Sequence, residues 1–162
     1  MISNASRSAK DAIFRKKDEC VTTRSDICLS LGLDSIHLYK SCYISNVRFN
    51  SMSDGNKSQS SDCCLLFNLG GKLQIGFINS IIQIHGKKAL FRMRLVSIKD
   101  KVRVKLTNHR IACGNVFYGG IDSFNEFVYI TFDDVVEKLI YVYEKKLQSY
   151  IFFKVPNLLE SS

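Results

Sequence analysis

The sequence predicts a mainly β chain: a small, distorted, partly open antiparallel β-barrel with one short helix and a flexible basic N-terminal arm. Three observations lead there. Isoleucine, valine, phenylalanine and tyrosine dominate the apolar residues, and these side chains suit a pleated, half-buried surface. Apolar and charged residues alternate with period two through most of 89–106, as half-buried antiparallel strands do. A Gly70-Gly71 pair between two apolar runs supplies the positive φ angles of a tight hairpin turn. With 162 residues, 46% of them hydrophobic, the chain can build one real core, so 35–162 reads as a single β domain and 1–34 as the arm.

Taken in order, Met1 to Arg24 is polar and basic, with a helical turn expected near Ala12 to Lys17. A short apolar stretch, Ile27 to Leu33, follows with no clear period. Ser35 to Asn50 is a strand candidate, and Ser51 to Ser61 has the composition of a solvated loop. Cys63 to Asn68 and Leu73 to Ile84 form a hairpin about the glycine pair. In its second strand Leu73, Ile75 and Phe77 share one face, whereas Ile78, Ile82 and Ile84 continue in the opposite phase. Such a change marks a bulge or bend, which Gly76 would permit. His85-Gly86 ends that strand.

The next two strands are expected to pair with each other around Lys99 to Lys101. Phe91, Met93 and Leu95 fall on one face of the first, with Val102, Val104 and Leu106 on the matching face of the second. Thr107 to Asn125, with Gly114, Gly119 and Gly120, reads as a loop. Phe127 to Phe132 is a strand, and Asp133 to Leu139 a short helix with Asp134 and Glu137 in capping-box register. A last hairpin joins Leu139 to Tyr143 with Tyr150 to Val155, and Pro156 stops it.

Charge is concentrated. The chain carries a net +8, and 87–110 alone holds nine basic residues against Asp100. Pairing the two strands would place Lys88, Arg92, Arg94, Arg103 and Lys105 on one face with Lys101 at the turn. Like charges across a ladder repel, so the face needs solvent, nearby acids or a polyanion. Lysine and arginine on such a ribbon suit phosphates, with the salt dependence that counterion release imposes. No aromatic residue is expected on that face, since Phe91 points the other way, which argues against base stacking. The competing reading is a solvated face partly neutralised by Asp122, Glu126, Asp133, Asp134 and Glu137.

Other chemistry is sparse. No apolar run reaches the roughly 20 residues of a membrane-spanning helix, and the first 20 residues lack the apolar core of a secretory signal, so an intracellular chain is expected. Cys20, Cys28, Cys42, Cys63, Cys64 and Cys113 are then expected as thiols. A zinc site from Cys20, Cys28, His37 and Cys42 would follow none of the common ligand spacings, and no metal or cofactor is expected. The phosphate-cradling, dinucleotide, zinc-protease and nucleophile-elbow motifs do not occur. His37, His85 and His109 stand apart in sequence, and Asp133-Asp134 suits a helix start without catalysis. No catalytic residue is assigned.

The order Phe127 to Phe132, Asp133-Asp134-Val135-Val136-Glu137-Lys138-Leu139, Ile140 to Tyr143 and Tyr150 to Lys154 resembles the end of bromo-adjacent homology domains. Gly76-Phe77-Ile78 with Ile81 and Ile82 is similar to an early strand of the same modules. The layout also resembles C-terminal β domains of transposon-derived proteins, which include an ending like Val155-Pro156-Asn157. The resemblance spans about 95 residues from Cys63 onward and rests on layout and short patterns. It implies a distorted β-barrel, a nuclear interaction role and a chromatin protein as partner. No methyl-lysine cage can be assigned to particular residues. Taken together, the expectation is a non-enzymatic interaction module that contacts nucleic acid or another polyanion. The alternatives are a structural or protein-binding β domain, and an enzyme with dispersed catalytic residues.

Overall fold

A computed structural model describes residues 11–22, 26–33, 35–52, 61–84, 86–106, 109–121 and 127–154, with the backbone path alone at 17–22, 61, 99–106 and 109–116. Its strands are β1 (Ala12–Thr22), β2 (Ser35–Ile44), β3 (Val47–Asn50), β4 (Cys64–Leu69), β5 (Lys72–Ile84), β6 (Lys88–Leu95), β7 (Ser97–Leu106), β8 (His109–Gly120), β9 (Phe127–Thr131), β10 (Val135–Glu144) and β11 (Ser149–Lys154). One α-helix, α1 (Asp26–Leu31), stands among the described residues, with 3-10 turns at Ser61–Cys63 and Phe132–Asp134. The strands form a single antiparallel sheet that does not close: a distorted, open β-barrel, as the composition and alternation predict.

The pleat explains how one sheet builds three apolar clusters. β5 is the axis. It pairs with β6 along one edge, and along the other first with β4 and then with β2. Its pairing with β6 shifts register between Ile78 and Ser80, so the bend falls at Asn79 rather than at Gly76. Ahead of the shift Ile75 and Phe77 face one cluster and Ile78 another; beyond it Ile81 rejoins Ile78, and Ile82 turns to a third. Gly76 instead permits close packing. A Cβ there would lie 2.8 Å from the Arg94 carbonyl oxygen and 3.1 Å from the Phe67 ring.

The central cluster holds Phe49, Phe67, Phe91, Met93 and Ile130, fully or almost fully buried. The second packs Cys64, Phe77, Leu139 and Phe152 between the β4–β5 hairpin and the β10–β11 hairpin. In the third, Ile27 and Cys28 of α1 cover Leu38, Ile82, Leu90 and Tyr129.

Several expectations are corrected. Ala12 to Lys17 is no helical turn: it opens β1, which pairs with β2 through Thr22, so Ala12 and Phe14 belong to the core and not to an arm. Residues 1–10 of the expected arm lie outside the described residues. Ser35–Asn50 is two strands, because Ser45 and Asn46 both take positive φ and close a hairpin. Residues 109–120, read as a loop for their glycines, form β8 between β7 and β11. Gly119 sits where a Cβ would collide with the Ser97 carbonyl oxygen, so there glycine permits close strand approach.

The helix expected over Asp133–Leu139 is a single 3-10 turn, Phe132–Asp134, that runs straight into β10. The β-branched pair Val135-Val136 and the strand formers after it prevail over the acidic start. The capping contact lies three residues earlier than expected, with the Asp134 carboxylate accepting from the Thr131 N–H at 3.0 Å. The hairpins about Gly70-Gly71 and residues 145–148 form as expected. Most of the Ser51–Ser61 loop, and Pro156, lie outside the described residues.

Candidate nucleic-acid interface

β6 follows the expected alternation. Ala89, Phe91 and Met93 are buried, and Lys88, Arg92 and Arg94 occupy the opposite, half-exposed face. The expected partner is wrong, however. β6 lies between β5 and β9, while β7 pairs with β8 at the far end of the sheet. The chain leaves β6 at Val96, whose N–H donates to the Ile75 carbonyl, and not through a turn at Lys99–Lys101. Lys101, Arg103 and Lys105 therefore stand on a strand that makes no ladder with β6. The direction of their side chains lies outside the described residues. The six basic residues read as one ribbon are thus divided into two groups of three.

Around Arg92 and Arg94 the ladder brings residues that are distant in sequence. Arg92 is opposite Ser80 on β5 and Tyr129 on β9; Arg94 is opposite Phe77 and Phe127. Leu90 and Tyr129 pack on the cluster beneath α1, and Phe77 belongs to the cluster beneath β10 and β11. The two arginines occupy the strip between those covered regions.

The Arg92 guanidinium carbon stands 3.8 Å from the centre of the Phe127 ring, a close stack. Its Nη1 donates weakly to the Asn79 side-chain oxygen at 3.5 Å, and Ser80 Oγ donates to the same oxygen at 3.0 Å. Two buried polar atoms here, Arg92 Nε and Tyr129 Oη, have no hydrogen-bond partner among the described residues. Among the described residues neither Arg92 nor Arg94 forms an ion pair. Arg94 still acts on its surroundings: burial raises the Tyr150 pKa, the neighbouring Tyr143 adds to that, and the Arg94 charge opposes both.

Lys88 lies at the other end of β6. It lines a cavity of about 200 Å³ with Ile84, Ala89, Phe132 and Asp133, an acid of the 3-10 turn. Asp122 and Glu126, the other acids expected to neutralise this region, lie outside the described residues.

Sequence reasoning missed the aromatic side of this strip. Phe127 is more than 30 residues from Arg92, and only the β6–β9 pairing reveals their contact. The expected absence of aromatics on the arginine face is therefore corrected.

Cys28 and Cys42 lie in different apolar clusters, which separates two of the four residues weighed as zinc ligands. Cys28, Cys42, Cys63 and Cys64 are buried thiols. Burial pushes Cys42 up to about 12, against a small opposing effect of the Lys138 charge. It also raises Cys64, so neither thiol is poised as a nucleophile. Among the described residues no group of three His, Cys, Asp or Glu side chains could hold a metal ion, and no helix is long and apolar enough to cross a membrane. No family model, curated protein or solved structure matches this chain.

Proposed function

We propose that this chain is a non-enzymatic interaction module that contacts nucleic acid through Arg92 and Arg94 on the outer face of β6. Lys88 and the basic strand β7 would add to the attraction. The observation that carries the reading is a pair of half-exposed arginines with no ion pair among the described residues, one of them held over the Phe127 ring. A stacked guanidinium is oriented in advance; with Nε buried and Nη1 weakly bonded to Asn79, Nη2 would be the nitrogen to meet a phosphate oxygen. Such a strip within a segment of net +8 attracts polyanions at long range and holds them at short range. A nuclear setting beside chromatin follows from the resemblance to bromo-adjacent homology domains and belongs to the same proposal.

The test is a salt titration of binding to nucleic acid. Changing Arg92 and Arg94 together to glutamine should weaken binding and reduce the salt slope by about 0.9 for each B-DNA phosphate that the variant no longer neutralises. A wild-type protein that shows no salt-dependent binding at low ionic strength would leave the face merely solvated, with Asp122 and Glu126 the acids to examine next.

A further inference from the structure

A second basic surface lies on β1, β2 and β3, strands that contribute nothing to the arginine strip. Their inner face supplies Ala12, Phe14, Cys42, Ile44, Val47 and Phe49 to the central cluster. Arg15, Tyr43 and Arg48 face outward and are exposed, whereas Ser41 is buried. Ladder register places Arg15 beside Ser41, and Arg48 beside Tyr43 on the other flank of β2. The two arginines therefore stand on strands separated by one strand, roughly 10 Å apart at the backbone, with arms long enough to converge.

Lys16 breaks the rule in a revealing way. Following Ala12 and Phe14 it should point into the core, where an ammonium would be costly. Its φ of +53° is a left-handed conformation uncommon for lysine, and its side chain lines the outer groove together with Arg15. Adjacent residues of one strand thus serve the same face. The resulting open groove, about 510 Å³, is lined among the described residues by Arg15, Lys16, Ser41, Tyr43 and Arg48. Arg48 Nε donates to the Asn50 side chain at 3.3 Å and lies 3.9 Å from Asp62, so it is already oriented. Tyr43 is 36% exposed and presents aromatic surface in the groove.

We infer that this groove binds a nucleoside phosphate. Arg15, Lys16 and Arg48 would hold the phosphate, with the base or sugar against Tyr43. Three cations around one small concavity suit a compact dianion, and arginine forks match its oxygens two at a time. The aromatic ring beside them selects a nucleotide over bare phosphate, because base stacking adds to binding. The phosphate could belong to a free nucleotide or to a strand, and the experiment separates the two.

Backbone amide NMR of the full chain, titrated with a nucleoside monophosphate, should show saturable shifts clustered on β1–β3. The parent nucleoside without phosphate should give none. Arg15→Gln should weaken the nucleotide about tenfold or more, the loss of a charge-assisted hydrogen bond. Lys16→Asn should also weaken it, since asparagine accepts the left-handed backbone and removes the charge. Unchanged amide signals elsewhere would show that both variants fold. Tyr43→Leu should weaken the nucleotide but not inorganic phosphate. A short single-stranded oligonucleotide that binds the groove more tightly than the mononucleotide names a strand as the source; equal affinity names the free nucleotide. Shifts confined to β6, shifts absent altogether, or Arg15→Gln binding as the wild type does would overturn the proposal. Arg92→Gln should leave this groove unaffected, so its outcome stands apart from that of the β6 reading.

Discussion

Phe91 and Arg92 are neighbours on β6 with opposite fates, and they show what one position of the pleat decides. The Phe91 ring is fully buried, 5.1 Å from the Phe49 ring, so Phe91→Ala should cost roughly 3 to 5 kcal/mol. Arg92 is half-exposed, and two effects at its side chain oppose each other. Its stack on Phe127 is worth about 0.5–1 kcal/mol, while a buried Nε without a partner costs about 1–3 kcal/mol. Arg92→Met keeps the packing against the ring and removes the unpartnered nitrogen. It should therefore shift stability by less than about 1 kcal/mol in either direction. Urea denaturation of both variants checks the pair; equal losses would mean that the facing of β6 is wrong.

At the scale of the element, the turn between β9 and β10 shows how short-range chemistry steers a long-range pairing. Asp134 accepts from the Thr131 N–H at 3.0 Å and from Thr131 Oγ1 at 3.4 Å, closing a 3-10 turn that redirects the chain from β6 to β4. Asp134→Ala should cost about 0.5–2 kcal/mol, in the range of a removed helix cap. Asp134→Asn, which retains an acceptor, should recover most of it, and thermal unfolding of the two variants compares them. The same turn marks where local reading of the sequence reaches its limit. The facing of β6 was legible because alternation is local to eight residues. So were the hairpins at Gly70-Gly71 and 145–148, whose strands are joined by short turns. The β6–β9 ladder was not, since more than 30 residues separate the strands and β7–β8 lie between them. That ladder carries Phe127 to Arg92, so the basic half of the candidate site could be read and the aromatic half could not. The groove on β1–β3 escaped for another reason: a run of charges near the N-terminus reads as solvated, and Lys16 joins Arg15 only through a backbone conformation that no sequence period encodes.

Across the whole molecule, the clusters on the two faces of β4 and β5 share one chemical dependence, buried thiols. Cys42 lies in the central cluster, and Cys63 and Cys64 in the second. Burial raises all three: Cys42 to about 12, Cys64 well above the ordinary thiol value, and Cys63 as well, although the Tyr141 hydroxyl 3.6 Å from its Sγ acts the other way. A folded-state pKa above the unfolded value means that the folded protein keeps protons which the unfolded chain releases. Their stabilising contribution is fully present below the ordinary thiol pKa, about 8.5 to 9, and is lost as pH rises from there toward 12. Above pH 9 each such thiol should lower stability by up to about 1.4 kcal/mol per pH unit. Urea midpoints should accordingly show no thiol-linked fall below about pH 8 and a steep one between pH 9 and 11. Other groups titrate in that range, so the comparison that isolates the thiols is Cys42→Ala. This variant should lose some stability at every pH from the vacated volume, yet show a shallower alkaline slope than the wild type. Identical slopes would mean that Cys42 does not stay protonated in the folded state.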